Sequence, residues 1–288
     1  MIYRTSHDWR AAPSKRVMLF GMSGLGKTYL SNMLRDSGTW FHYSVDYRIG
    51  TRYMGEHIAD EFKRCAMQVP MLRDLLMSDS IYVASNITFD NLAPLSSYLG
   101  KPGDPARGGL PFEDYLRRQD QHLEAETLAM RDTPHFIERA QDLYGYPHFV
   151  CDTSGSICEV VDPEDPDDPV LSVLEKSLLM VWIKGSEAHT DELIRRFDKE
   201  PKPMYYQRDF LLSAWSDYLS ETGQEPGGVD PNAFIRWTFA RALAHRQPRY
   251  AAMARRGVTV SADEVSAVKT EGDFTDLIAM ALDRSRDA

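Results

Sequence analysis

The chain has 288 residues, a length that admits one large domain or two modest ones and that buries about three quarters of the surface of the unfolded chain. Hydrophobic residues make up 43% and charged residues 26%, the balance of a soluble globular protein. With 33 basic against 43 acidic residues the net charge is −10 and the isoelectric point near 5.3, which argues against bulk electrostatic affinity for nucleic acid or an anionic membrane. No uninterrupted apolar run is longer than that of Leu178–Ile183, six residues, far short of the ~20 residues of a membrane span, so no membrane partner is expected.

Residues 1–15 read as a polar N-terminal tail, with no apolar stretch of the kind that makes a secretory signal. Cys65, Cys151 and Cys158 include no Cys-x-x-Cys pair; they read as reduced small hydrophobes, and the expected location is cytoplasmic. Arg16–Phe20 is an apolar run of strand length, followed at once by glycines. Gly26–Asp36 has helical spacing, with Tyr29, Leu30, Met33 and Leu34 on one face and Gly38 just past its end. Trp40–Val45 reads as a second strand that ends at Asp46. Glu56–Met77 is helical but broken by Pro70, and Ile81–Ala84 reads equally well as a strand or an extended crossover. Residues 90–111, with four prolines and four glycines, predict a long irregular segment.

Phe112–Leu143 is helical with an interruption at Pro134, and Pro147–Cys151 is a third strand candidate ending at Asp152. The acidic and proline-rich stretch Asp162–Pro169 reads as a solvated loop rather than a cation site, because its prolines hold the carboxylates apart. Leu178–Ile183 is the most strand-like run in the chain. Helical patterns follow at Glu187–Phe197, Arg208–Ser220 and Pro231–His245, then a last strand at Gly257–Ser261 and a last helix at Asp273–Leu282. Strands alternating with helices predict an α/β fold with a mainly parallel sheet.

One motif is specific. Gly21-Met22-Ser23-Gly24-Leu25-Gly26-Lys27-Thr28 matches the phosphate-binding-loop (Walker A) pattern, with an apolar strand before it and an amphipathic helix after it. Gly21, Gly24 and Gly26 let backbone N–H groups turn inward into a nest for phosphate oxygens, and the following helix points its positive end at the same anion. Lys27 suits the β- and γ-phosphates, and the Thr28 hydroxyl suits Mg²⁺. The pattern therefore predicts a nucleoside triphosphate as ligand. No guanine-specific Asn-Lys-x-Asp run is present and adenine is held by weaker signals, so ATP and GTP both stay open at this point.

With Gly24 the loop resembles those of P-loop kinases of the adenylate, shikimate and gluconate kinase group; the whole chain also resembles bacterial proteins described only as ATPases. The resemblance implies a P-loop α/β fold, with a parallel sheet in the order 2-3-1-4-5 flanked by helices. It also implies a single domain over residues 16–288, with 50–146 as a helical and loop insertion that binds the acceptor. By the same resemblance Asp46 orients or deprotonates an acceptor hydroxyl, Asp152 is the acid that holds magnesium through water, and residues 195–208 form an arginine-bearing lid in which Arg196 meets the transferring phosphate. Each residue also has a plainer reading: Asp46 as a helix cap, Asp152 as a turn starter in Asp152-Thr-Ser-Gly155, and Arg196 as a helix C-terminal cation. Arg48 and Arg52 either clamp an anionic acceptor or are surface arginines, and Arg195 and Arg208 stand between phosphate contact and surface in the same way. Arg117, Arg118, Gln119 and His122 line an acceptor pocket or occupy an exposed helix face.

The expected activity is transfer of the γ-phosphoryl of Mg-ATP to a hydroxyl of a small acceptor. Two alternatives stay open. One is an NTPase switch with a protein partner, which the acidic surface and long middle segment suit; the other is a kinase for a nucleic-acid hydroxyl, which the net charge disfavours.

Overall fold

A computed structural model describes residues Met1–Asp287. The chain opens with a helix, α1 (Ser6–Ala11), capped by Thr5, whose hydroxyl accepts from the Asp8 N–H. The expected polar tail is thus partly helical, and one residue accounts for it. Trp9 is fully buried, donates its indole N–H to the Thr275 carbonyl at 2.9 Å and meets Phe274 edge-on. Next come β1 (Arg16–Phe20), α2 (Lys27–Asp36) and β2 (Trp40–Ser44), all as the hydrophobic pattern predicts. A short helix, α3 (Val45–Arg48), and a π-helical turn at Ile49–Tyr53 lead into α4 (Gly55–Ala66) and α5 (Pro70–Met77). Pro70 starts α5, where a missing N–H costs nothing.

Ile81–Ala84 joins no strand. The segment 90–111, expected to be irregular, contains α6 (Ala93–Leu99), with Pro94 tolerated in its first turn. After α7 (Phe112–Arg131) and α8 (Thr133–Asp142), separated just before Pro134, comes β3 (His148–Asp152). Two short helices, α9 (Ile157–Val160) and α10 (Leu171–Ser177), flank the acidic stretch. There Asp168 accepts from the backbone of Asp162, Val170 and Leu171, so this carboxylate serves the turn. The chain ends with β4 (Leu179–Lys184), α11 (Glu187–Lys199), α12 (Arg208–Thr222), α13 (Pro231–Ala254), β5 (Val258–Ser261), α14 (Ala262–Ala267) and α15 (Glu271–Asp287). No helix among the described residues is long and apolar enough to cross a membrane.

The chain divides into two compact units. The first comprises Met1–Val45, Thr127–Pro201 and the chain from Arg236 on. Its core is a five-stranded, all-parallel sheet in the order β2-β3-β1-β4-β5, with Leu19 opposite Asp152 and Phe20 opposite Trp182. Both faces are covered, as a parallel sheet requires. On one face Trp40 packs against Phe274 of α15 (centroids 5.7 Å) and donates to Glu271. On the other, Phe41 stacks on Phe149, Tyr43 meets Phe136 of α8, and Phe20 meets Tyr250 of α13. Val17 to Phe20 of the central strand are wholly buried, which fixes the end of β1 and hence the start of the glycine loop.

The second unit comprises Asp46–Glu126 and Lys202–Ile235 and is helical. Arg118, Gln119 and His122 are buried in it, which excludes the exposed-face reading. Arg118 lies over the Tyr98 ring, donates to the Tyr98 carbonyl and pairs with Glu61 at 2.8 Å. Gln119 accepts from Tyr206 N–H and donates to the Met204 carbonyl, tying the Met204–Tyr206 segment to α7. The His122 ring stacks on Tyr205. Burial pushes its pKa down to about 4, outweighing the Glu126 carboxyl 3.6 Å away.

His122 is therefore neutral in the fold, whereas in the unfolded chain it gains a proton below about pH 6.5. Stability that is intact above pH 6.5 is lost as pH falls toward 4. His122→Gln, uncharged throughout, should flatten that decline by up to about 3 kcal/mol at the acid end. Urea midpoints at pH 7 and pH 4.5 check it, and parallel declines in the two proteins would refute it.

Candidate functional site

The glycine loop leaves the C-terminal end of the central strand and enters α2. Gly21, Gly24 and Gly26 all have positive φ (140°, 82° and 100°), a region in which a Cβ is strained. Space forbids one as well. A Cβ on Gly21 would lie 2.5 Å from the Ile183 carbonyl oxygen, and one on Gly26 would lie 2.8 Å from a Val265 methyl. The loop is thus a bare backbone turn at the N-terminus of α2, a kind of turn whose amides and helix end can receive an anion. Lys27, only 6% exposed, folds over the loop and donates to the carbonyls of Gly21 (2.9 Å) and Met22 (3.1 Å).

Thr28, in the first turn of α2, donates its hydroxyl to Asp152 Oδ2 at 2.9 Å. The register places Asp152 at the end of β3, beside the end of β1. His42 Nε2, on β2, lies 3.7 Å from the same carboxylate oxygen, and both side chains are buried. No group of three or more His, Cys, Asp or Glu able to hold a metal occurs among the described residues. A hydroxyl and one carboxylate fit a Mg²⁺ ion that keeps several waters and takes its remaining ligands from phosphates. His42 was not singled out from the sequence; the signal was a histidine on the same face of neighbouring strands as Asp152, legible only once β2 and β3 are paired.

Beside the loop lies a cavity of about 320 Å³, lined by Gly24–Gly26, Tyr29, His189 and, from α14 and the residues after it, Ala262, Val265, Ser266 and Lys269. Tyr29 donates to the Val268 carbonyl, and Lys269 lies over the Tyr29 ring at 5.4 Å. Of these, His189, Ala262, Val265, Ser266 and Lys269 escaped the sequence reading. The Ser261–Glu264 capping box following a strand was the available signal.

The remaining candidates are placed as follows. Arg196 and Arg195, on the last turns of α11, both pair with Glu192, Arg196 at 2.6 Å. Asp46 is in the first turn of α3, directly after β2. Arg48 lies over the Tyr53 ring at 5.5 Å, and Arg52 is in the π-helical turn. Arg117 pairs with Asp114, and Arg208 with Asp120. The structure brings the loop, Thr28 and Asp152 together in the first unit, while Asp46, Arg48 and Arg52 belong to the second.

An all-parallel sheet in this order, with the glycine loop after its central strand, defines a P-loop, kinase-like α/β fold. No family model matches the chain, and no curated protein matches it. Among solved structures it is similar to a shikimate kinase from Bacteroides thetaiotaomicron, at 16% identity and a TM-score of 0.37, over 95% of this chain and 97% of that one.

Proposed function

We propose that this protein is an ATP-dependent kinase that transfers the γ-phosphoryl to a hydroxyl of a small acceptor. The observation that carries the reading is the glycine loop, with Lys27 folded over it and Thr28 bonded to Asp152. The loop amides and the α2 N-terminus would hold the phosphates. Lys27 would exchange its two carbonyl partners for β- and γ-oxygens. Thr28 directly, and Asp152 through water, would hold magnesium, which when bound supplies charge neutralisation on the phosphate oxygens. Tyr29, His189 and the Ala262–Ser266 wall offer an aromatic and apolar recess for a nucleobase next to the loop. Asp46 is assigned to the acceptor hydroxyl and its proton, Arg48 and Arg52 to an anionic group on the acceptor, and Arg196 to the charge on the group in flight. Arg196 would leave Glu192 to do so. Positioning and electrostatics make up most of what phosphoryl transfer demands.

A second reading, an NTPase switch with a protein partner, draws on α5. None of its residues is buried, and Met71, Met77 and nearby Tyr82 are 66%, 74% and 89% exposed. ADP release measured with pooled metabolites, nucleosides and single-stranded DNA separates the readings. A pool that raises turnover supports the kinase and yields the acceptor class by fractionation; turnover indifferent to all of them, yet dependent on Lys27, supports the switch. Asp46→Asn should lower acceptor-dependent transfer by about 10²-fold or more, as loss of a general base does, with ATP affinity within a few-fold of wild type. Lost ATP affinity with transfer per bound ATP intact would remove Asp46 from its role.

A further inference from the structure

The loop that follows Asp152 touches the glycine loop, and one turn of α13 holds it there. Gly155 lies so close to Ser23 that a Cβ on it would sit 2.4 Å from Ser23 Oγ and 3.2 Å from the Ser23 backbone nitrogen. The Gly155 carbonyl receives two donors from α13, Arg246 Nη1 at 3.1 Å and the Tyr250 hydroxyl at 2.5 Å. Between them Gln247 donates to the Met22 sulfur at 3.2 Å. Arg246 is 3% exposed, and its charge is met by Glu159, fully buried, at 2.6 Å. A buried ion pair of this kind gives little net stability compared with an apolar pair of the same volume. What it provides here is direction, since the guanidinium, fixed by Glu159, aims a second N–H at one carbonyl oxygen. The same turn carries Pro248, which interrupts the helix's own hydrogen bonding.

We infer that the Arg246–Tyr250 turn of α13 is a positioning brace for the nucleotide site. By gripping the Gly155 carbonyl and Met22 it sets how closely the Asp152–Ser156 loop abuts Ser23, and so fixes the spacing between the phosphate cradle and the Thr28–Asp152 pair. Arg246, Gln247 and Tyr250 touch no substrate in this scheme and act through the two loops. The inference rests on the phosphate-binding reading of the glycine loop.

Two variants test it. Tyr250→Phe removes one donor and keeps the ring that packs on Phe20. Gly155→Ala inserts a methyl between the loops at a residue whose own backbone tolerates one. The readouts are affinity for a fluorescent ATP analogue with magnesium, hydrogen exchange of the Met22–Thr28 amides in the free protein, and the melting temperature. Tyr250→Phe should weaken the analogue and speed that exchange by up to about tenfold, the weight of one hydrogen bond, with Tm lowered by no more than about 4 °C. Gly155→Ala should do the same, and adding Ser23→Ala, which removes the atom the new methyl meets first, should restore part of the affinity. Both variants with wild-type affinity and wild-type exchange, whatever their Tm, overturn the brace and leave these residues a role in packing alone. Failure of the wild type to bind the analogue overturns the phosphate-binding reading instead, and exchange in the free protein still decides whether the turn holds the loop.

Discussion

Lys27→Ala should lower nucleotide turnover by about 10²–10³-fold, the effect of losing one preorganised donor to a charged transition state. In the structure the ammonium group donates to the carbonyls of Gly21 and Met22, within the loop itself. In the proposed mechanism it exchanges these partners for phosphate oxygens. The same two contacts set the structural cost of the substitution. Both hydrogen bonds are buried, so losing their donor should cost about 1–3 kcal/mol and lower Tm by up to about 10 °C while leaving the protein folded. Single-turnover ADP formation beside a thermal melt makes the comparison. Unaltered turnover in a folded variant would refute the assignment of this loop.

Arg246→Met should destabilise the fold by about 3–5 kcal/mol. It strands the Glu159 carboxylate, which has no solvent exposure and loses its 2.6 Å partner. It also removes one donor from the Gly155 carbonyl. For a chain of this size the loss corresponds to a fall in Tm of about 10 °C. Arg246→Met combined with Glu159→Leu should recover most of that deficit, because an apolar pair fills the volume with no charge to solvate. A single variant that melts with the wild type would show that the pair is not what keeps α9 and α13 together.

The parts of the molecule written in the sequence are those set by local physics. The strand, glycine loop and helix from Arg16 to Asp36 need only hydrophobic period and glycine placement, and each element lies within a residue of its expected bounds. Asp152 was legible because it ends an apolar strand. Its meeting with Thr28, however, depends on the parallel register of β1 with β3, which no local pattern encodes. The parts that escaped are set by distant partners. Helix α1 exists because Trp9 finds Phe274, and a lone tryptophan in a polar stretch gives no periodicity. The Arg246–Glu159 pair joins residues 87 apart in the chain, one just past the expected helix Pro231–His245 and the other just before the expected loop Asp162–Pro169. The cavity beside the loop combines Tyr29 with Lys269, each unremarkable in its own neighbourhood.

The docking of α1 on α15 also bears on how the chain is made. Trp9 and Arg10 leave the ribosome 266 positions ahead of their partners Thr275 and Asp276. The central strand cannot acquire both neighbours until β4 has emerged, and β5 is later still. The first unit is thus completed only after α15 has been made. Until then an apolar strand and a tryptophan are without their native cover, and removal of α15 should leave the segment around Trp9 open to proteolysis.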